Sequence, residues 1–104
     1  MSNIKIGPHS FQLEEVAKLA DGDEELYGIC DFTTGMIRTC EGLRPLLKAE
    51  TQMHEILHAM CQSSGILSDQ EAQEVVVAAL ASHLTMLAQQ NPAWVHDWVE
   101  RCKA

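Results

Sequence analysis

Through the first forty residues apolar and polar positions alternate with a strand period; from about residue 45 the spacing becomes helical. In NIKIGPHSFQLEEV, Ile4 and Ile6 alternate with polar neighbours, as do Phe11 and Leu13, and Gly7-Pro8 between them is a turn signal. This predicts a hairpin. Leu13, Val16, Ala17 and Ala20 also fit one face of a helix, and the strand is expected to run to about Val16. The acidic stretch from Asp21 to Glu25 reads as a loop. LYGICDF and MIRTC predict a second hairpin around Thr34-Gly35, with the Met36 to Cys40 strand as the exposed edge of the sheet.

The helical half is punctuated by its own start and stop signals. Pro45 suits a first helical turn because it has no N–H to satisfy. The helix it opens runs through LLKAETQMHEILHAMCQ to Ser63-Ser64-Gly65, where the glycine serves as C-terminal cap. Ser68 and Glu71 have the spacing of a capping box and predict a second helix that ends at Asn91-Pro92. From Ala72 to Ala88 this helix is apolar nearly all round, which predicts burial. The last helix carries Trp94, Val95, Trp98, Val99 and Cys102 along one stripe, read as a core-packing face. Strands first and helices afterwards make an α+β fold, expected as a single domain over residues 1–104.

Composition narrows the function classes. No apolar run approaches the ~20 residues that span a bilayer, and MSNIKIGPHS lacks the apolar core of a signal peptide. A cytoplasmic location with no membrane partner is the expectation. Seven basic against fifteen acidic residues leave a net charge of −8, which repels a phosphate backbone and argues against nucleic-acid binding. The same field attracts a divalent cation. Cys30, Cys40, Cys61 and Cys102 follow neither a C-x-x-C pair nor a dense disulfide framework, so buried thiols are expected. Cys30 and Cys40 face each other in one possible register of the second hairpin.

The chemistry lies in MHEILHAM, residues 53–60. Helix positions four apart lie on one face, so His54 and His58 can aim imidazole nitrogens at one point, as zinc requires. Glu55, about 100° around the helix from His54, flanks that point and is placed to accept a proton from an attacking water. A composition like this produces H-E-x-x-H by chance about once in fifty chains, so a third ligand is the test. Glu74 supplies it. It lies on the next helix, sixteen residues after His58, with Ala78 and Ala81 along its own face to admit a close neighbour. Its apolar surroundings also call for a partner. His83 is about 180° around the helix from Glu74 and cannot share its face, and the capping box already explains Glu71.

With these residues in place the chain resembles a known family. H-E-x-x-H with a glutamate on the following helix is the gluzincin pattern, and the whole order resembles small phage or prophage relatives of the ImmA/IrrE-type metallopeptidases. LYGICDFTTGMIRTC looks like their hairpin, HEILHAM like their active helix, and QEVVVAALASHLTMLAQQNP like their glutamate helix. The resemblance implies a zincin-like fold, zinc (Zn2+) held by His54, His58 and Glu74, Glu55 as general base, and a peptide or protein substrate. Larger members carry E-A-N-x-F-A at the third ligand, where this chain has Glu74-Val75-Val76-Val77-Ala78-Ala79. No Tyr or His follows the glutamate helix at an evident oxyanion position. His96 takes that role only if the last helix folds over the zinc, and Tyr27 only if the hairpin reaches it.

Other residues carry competing readings. Cys61, three after His58, is either a small core residue or a metal ligand, the third in place of Glu74 or a fourth that closes the site into a structural one. Glu50 either orients His54 or is a solvated helix glutamate. His9 in its turn and His96 on a polar helix face are expected to be exposed, and Trp94 and Trp98 to lie in the core. The sequence therefore favours a minimal zinc metallopeptidase. The alternative is a non-catalytic module that zinc stabilises and whose surface binds a partner.

Overall fold

A computed structural model describes residues 2–21 and 23–104. Strands β1 (Ser2–Ile6) and β2 (His9–Val16) pair antiparallel with Ile6 opposite His9. Gly7 in the turn has φ 58°, a conformation glycine adopts without steric cost. His9 is exposed as expected, although it opens the strand instead of sitting in the turn. The acidic stretch is not a loop throughout. β3 (Leu19–Asp21) and β4 (Glu24–Leu26) form a separate two-stranded sheet whose register sets Leu19 opposite Leu26. That pairing gathers the two apolar residues and leaves Glu24 and Glu25 exposed. Gly22, between these strands, lies outside the described residues.

β5 (Gly28–Asp31) and β6 (Met36–Cys40) form the second predicted hairpin, its turn fastened by the Thr34 N–H donating to Asp31 Oδ1 at 3.2 Å. The main sheet runs β1-β2-β6-β5. The Met36 to Cys40 strand is therefore an interior strand, and β5 is the edge. β6 pairs parallel with β2, Ile37 opposite Leu13, a non-local pairing that hairpin signals between chain neighbours do not encode. Its inward residues, Ile37 and Thr39, are almost fully buried.

Helix α1 (Pro45–Ser64) packs on this sheet, and its core contacts join Ile56 and Ala59 to Ile6, Phe11 and Ile37. Gly65 ends it in the left-handed conformation at φ 75°, donating its N–H to the Cys61 carbonyl as the predicted cap. Helix α2 (Gln70–Gln90) crosses α1, and α3 (Pro92–Cys102) follows at Asn91. The described residues thus form a mixed α+β structure, a small four-stranded sheet and a two-stranded one with three helices.

Three helical expectations need correction. The start of α2 is capped by Asp69, not Ser68: Asp69 Oδ1 accepts from the N–H groups of Glu71 and Ala72, leaving the Glu71 side chain exposed. α2 is not a buried helix, since among its residues only Val77 and Ala81 are buried. It covers α1 with one stripe, and Val75, Leu80 and Leu87 are exposed. On α3 no residue is buried, and Trp94 and Trp98 stand 52% and 51% exposed instead of filling a core. All-round apolarity signals burial only when something covers every side of the helix.

The thiols are all free, with Cys61 buried, Cys30 and Cys40 half-buried and Cys102 exposed. Cys30 sits opposite Ile37, so it does not face Cys40 across the hairpin. Among the described residues no helix is long and apolar enough to cross a membrane.

The cap assignment is directly testable. Asp69→Ala is expected to lower stability by about 0.5–2 kcal/mol, whereas Ser68→Ala stays within about 0.5 kcal/mol of the parent in urea unfolding.

Candidate metal centre

The third and fourth turns of α1 place His54 and His58 one above the other, ring centroids 4.8 Å apart and planes at 63°. Their Nε2 atoms converge to 3.2 Å. Glu74, in the first turns of α2, reaches both: Oε1 lies 3.0 Å from His54 Nε2 and Oε2 lies 2.8 Å from His58 Nε2. The three sequence-predicted ligands are therefore together, each able to offer one donor atom within a 4.8 Å cluster. Three ligands at ~2.0–2.1 Å from one tetrahedral ion sit roughly 3.3 Å apart, close to these separations. Two imidazoles and a carboxylate are also a donor set that zinc accepts. The residues fit the metal.

The route by which Glu74 arrives differs from the sequence argument. Its side chain is 58% exposed, so burial does not force it to find a partner. Position does: Ala81 on the same helix face is buried at 1% exposure, and its small side chain lets α2 approach α1 closely. His83 is exposed and bonded to its own helix at the Ala79 carbonyl, away from the cluster. Cys61 also stands apart, buried along an apolar groove with Ile6, Leu57 and Val77.

Glu55 is the buried carboxylate of the site, 8% exposed. Burial pushes its pKa up to about 7; nearby His58 opposes the rise and Glu74 adds to it. Such a group holds and releases a proton near neutral pH. It lines a cleft of about 700 Å³ with His54, His58 and Glu74, walled on the other side by β5 residues Gly28, Ile29 and Cys30. A smaller hollow of about 300 Å³ opens beside it, where Tyr27, Glu50 and Ala78 meet His54 and Glu55. Tyr27 thus does reach the neighbourhood of the cluster, and Glu50 is half-buried in the same hollow. His96 does not arrive: it is exposed on α3 beside Asp97 and Glu100, and no α3 residue lines either cavity.

Sequence reasoning missed three residues here. Gly28 is where β5 presses against α1: a Cβ there would lie 2.6 Å from Thr51 Cγ2 and 3.2 Å from Glu55 Oε2. A glycine inside a strand pattern is the signal for such an approach. Cys30 also lines the cleft, and burial, then Glu55, pushes its thiol pKa up to about 11, keeping it protonated. Gln73, which precedes Glu74, bonds the other ring nitrogen of His58 at 2.6 Å, and no sequence pattern marks it.

Comparison of the chain with protein-family models finds no match. Comparison with curated proteins and with solved structures finds none either.

The contact at Gly28 generates a prediction. Gly28→Ala is expected to destabilise by about 1–3 kcal/mol in urea unfolding, because a buried, β-branched threonine on a helix has little room to yield. Adding Thr51→Ser removes the clashing methyl and should recover much of the loss, a coupling that a double-mutant cycle measures directly.

Proposed function

We propose that this protein is a zinc-dependent metallopeptidase of minimal, zincin-like build, as its resemblance to the gluzincins implies. The observation that carries the reading is the two-sided reach of Glu74 to both imidazoles, with the buried carboxylate of Glu55 in the same cleft. His54, His58 and Glu74 would hold the ion. Bound zinc supplies Lewis acidity, polarising a carbonyl and acidifying a water.

The remaining chemistry belongs to the chain. Glu55, held near neutral pKa by burial, takes the proton of the attacking water and passes it to the leaving amine. The β5 edge, Gly28–Asp31, offers unpaired backbone groups along the cleft wall, where an extended peptide can add as a strand. That role falls to β5 because β6, with partners on both sides, has no free edge.

A second reading is favoured by the exposed apolar surface of α2 and α3, including Val75, Trp94 and Trp98. Apolar area of this kind marks partner-binding surfaces, and it suits a non-catalytic module stabilised by zinc. The two readings part at the fourth metal position, open in an enzyme and closed by a protein ligand in a structural site.

Elemental analysis of gently purified protein should find close to one zinc per chain. Glu74→Gln is expected to weaken zinc binding far more than Glu71→Gln, which alters an exposed side chain outside the cluster; equal effects would remove Glu74 from the ligand set. Glu55→Gln should bind zinc and fold like the parent, since Glu55 lies outside the His54, His58 and Glu74 cluster and an amide keeps its size and shape. Its rate of peptide hydrolysis should fall by about 10²–10⁴, measured on a substrate selected with the parent protein from a peptide library. Undiminished cleavage by Glu55→Gln would refute the assigned base.

A further inference from the structure

His58 is held from behind as well as from in front. Its Nδ1 lies 2.6 Å from Gln73 Oε1, while the Gln73 amide nitrogen donates to the Leu67 carbonyl at 2.9 Å. We propose that Gln73 is the positioning residue of the metal centre: anchored on the Leu67 carbonyl, it sets both the ring orientation and the tautomer of His58. The inference rests on the metal-site reading above and names the device that prepares one ligand for it.

The direction of each bond follows from what each group can do. A backbone carbonyl only accepts, so the Gln73 amide must turn its NH₂ toward Leu67. The reverse orientation would press two acceptor oxygens together. With the NH₂ committed, the oxygen of Gln73 faces His58, and that oxygen too only accepts. At Nδ1 His58 can therefore only donate, so a ring whose Nε2 is free to take a metal carries its proton on Nδ1. Nε2 faces the point where His54 and Glu74 converge, and in the absence of a metal the Glu74 carboxylate, 2.8 Å away, competes for a proton there. Metal-ligating histidines commonly donate their second ring N–H to such a partner, which fixes the tautomer and raises the basicity of the ligating nitrogen.

The anchor itself is strained. Among the described residues Leu67 is the one non-glycine residue with positive φ, at 52°. A leucine avoids this region because its Cβ crowds the backbone, and such conformations persist where surrounding structure holds them in place. The turn between α1 and α2 thus holds the Leu67 carbonyl where it meets Gln73. The chain of contacts runs from this turn, through the Gln73 amide and the His58 ring, to the metal point. Gln73 is half-buried, which shields the short bond from competing water.

Two measurements on the parent protein, Gln73→Leu and Gln73→Glu test the assignment. The first is long-range proton–nitrogen NMR of the zinc-free proteins, about two to three pH units above the ordinary imidazole pKa of ~6.5. The parent is expected to show a proton on His58 Nδ1, whether or not Glu74 holds a second one on Nε2. Gln73→Glu should retain the Nδ1 proton, because a carboxylate also accepts even though it cannot donate to the Leu67 carbonyl, and Gln73→Leu should shift the proton toward Nε2. The second is zinc affinity by chelator competition, where Gln73→Leu should bind about 10–100-fold more weakly. Gln73→Glu, which keeps the acceptor for His58 but loses the anchor on Leu67, should fall between Gln73→Leu and the parent. A parent His58 protonated on Nε2 alone would overturn the proposal even if Gln73→Leu failed to fold. So would a Leu variant with unchanged tautomer. A parent with the Nδ1 proton held by Gln73 but no affinity for zinc would uphold the positioning role and instead refute the metal reading.

Discussion

The site depends on α1 being clamped from two sides that ask opposite things of it. Toward the sheet the helix must be apolar and closely packed, and Ile56 and Ala59 meet Ile6, Phe11 and Ile37 there. Toward α2 it presents polar nitrogen, and Glu74 meets His54 and His58. Glu55 lies at the border, where β5 comes close enough to α1 that Gly28 has no room for a side chain. Burial at this border lifts the Glu55 pKa, with Glu74 adding to the rise and His58 opposing it.

Much of this was legible in the sequence, and the exceptions have physical causes. Both hairpins, the ends of α1 and the alignment of His54 with His58 follow from period, punctuation and helical spacing, all local properties of the chain. Glu74 does join the two histidines, but the burial expected of it is not what brings it there. The position of β6 does not follow from local signals, because its parallel pairing with β2 joins segments distant in sequence. The cap of α2 was misplaced by one residue because Ser68 and Asp69 are both competent caps, and only the backbone path chooses between them. Gln73 carried no signal at all, since a glutamine beside a candidate ligand has no pattern to distinguish it.

The burial errors on α2 and α3 share one origin. Hydrophobic composition reports what a helix can cover, whereas burial depends on what else is present to cover it. α2 has α1 on one side, and its outward residues, with Trp94 and Trp98 of α3, remain accessible. One correction reaches the site, because Glu74 is largely exposed and is held by geometry instead of by a need for charge compensation. The cluster thus combines an accessible carboxylate with two half-buried imidazoles.

The central claim is that one zinc ion is held by two imidazoles and a carboxylate, with no sulfur. X-ray absorption spectroscopy of the zinc-loaded protein tests it most directly. The account predicts a first shell of nitrogen and oxygen alone at ~2.0–2.1 Å, with outer-shell scattering from two imidazole rings. A zinc–sulfur distance of ~2.3 Å, or scattering that requires no imidazole, would contradict it.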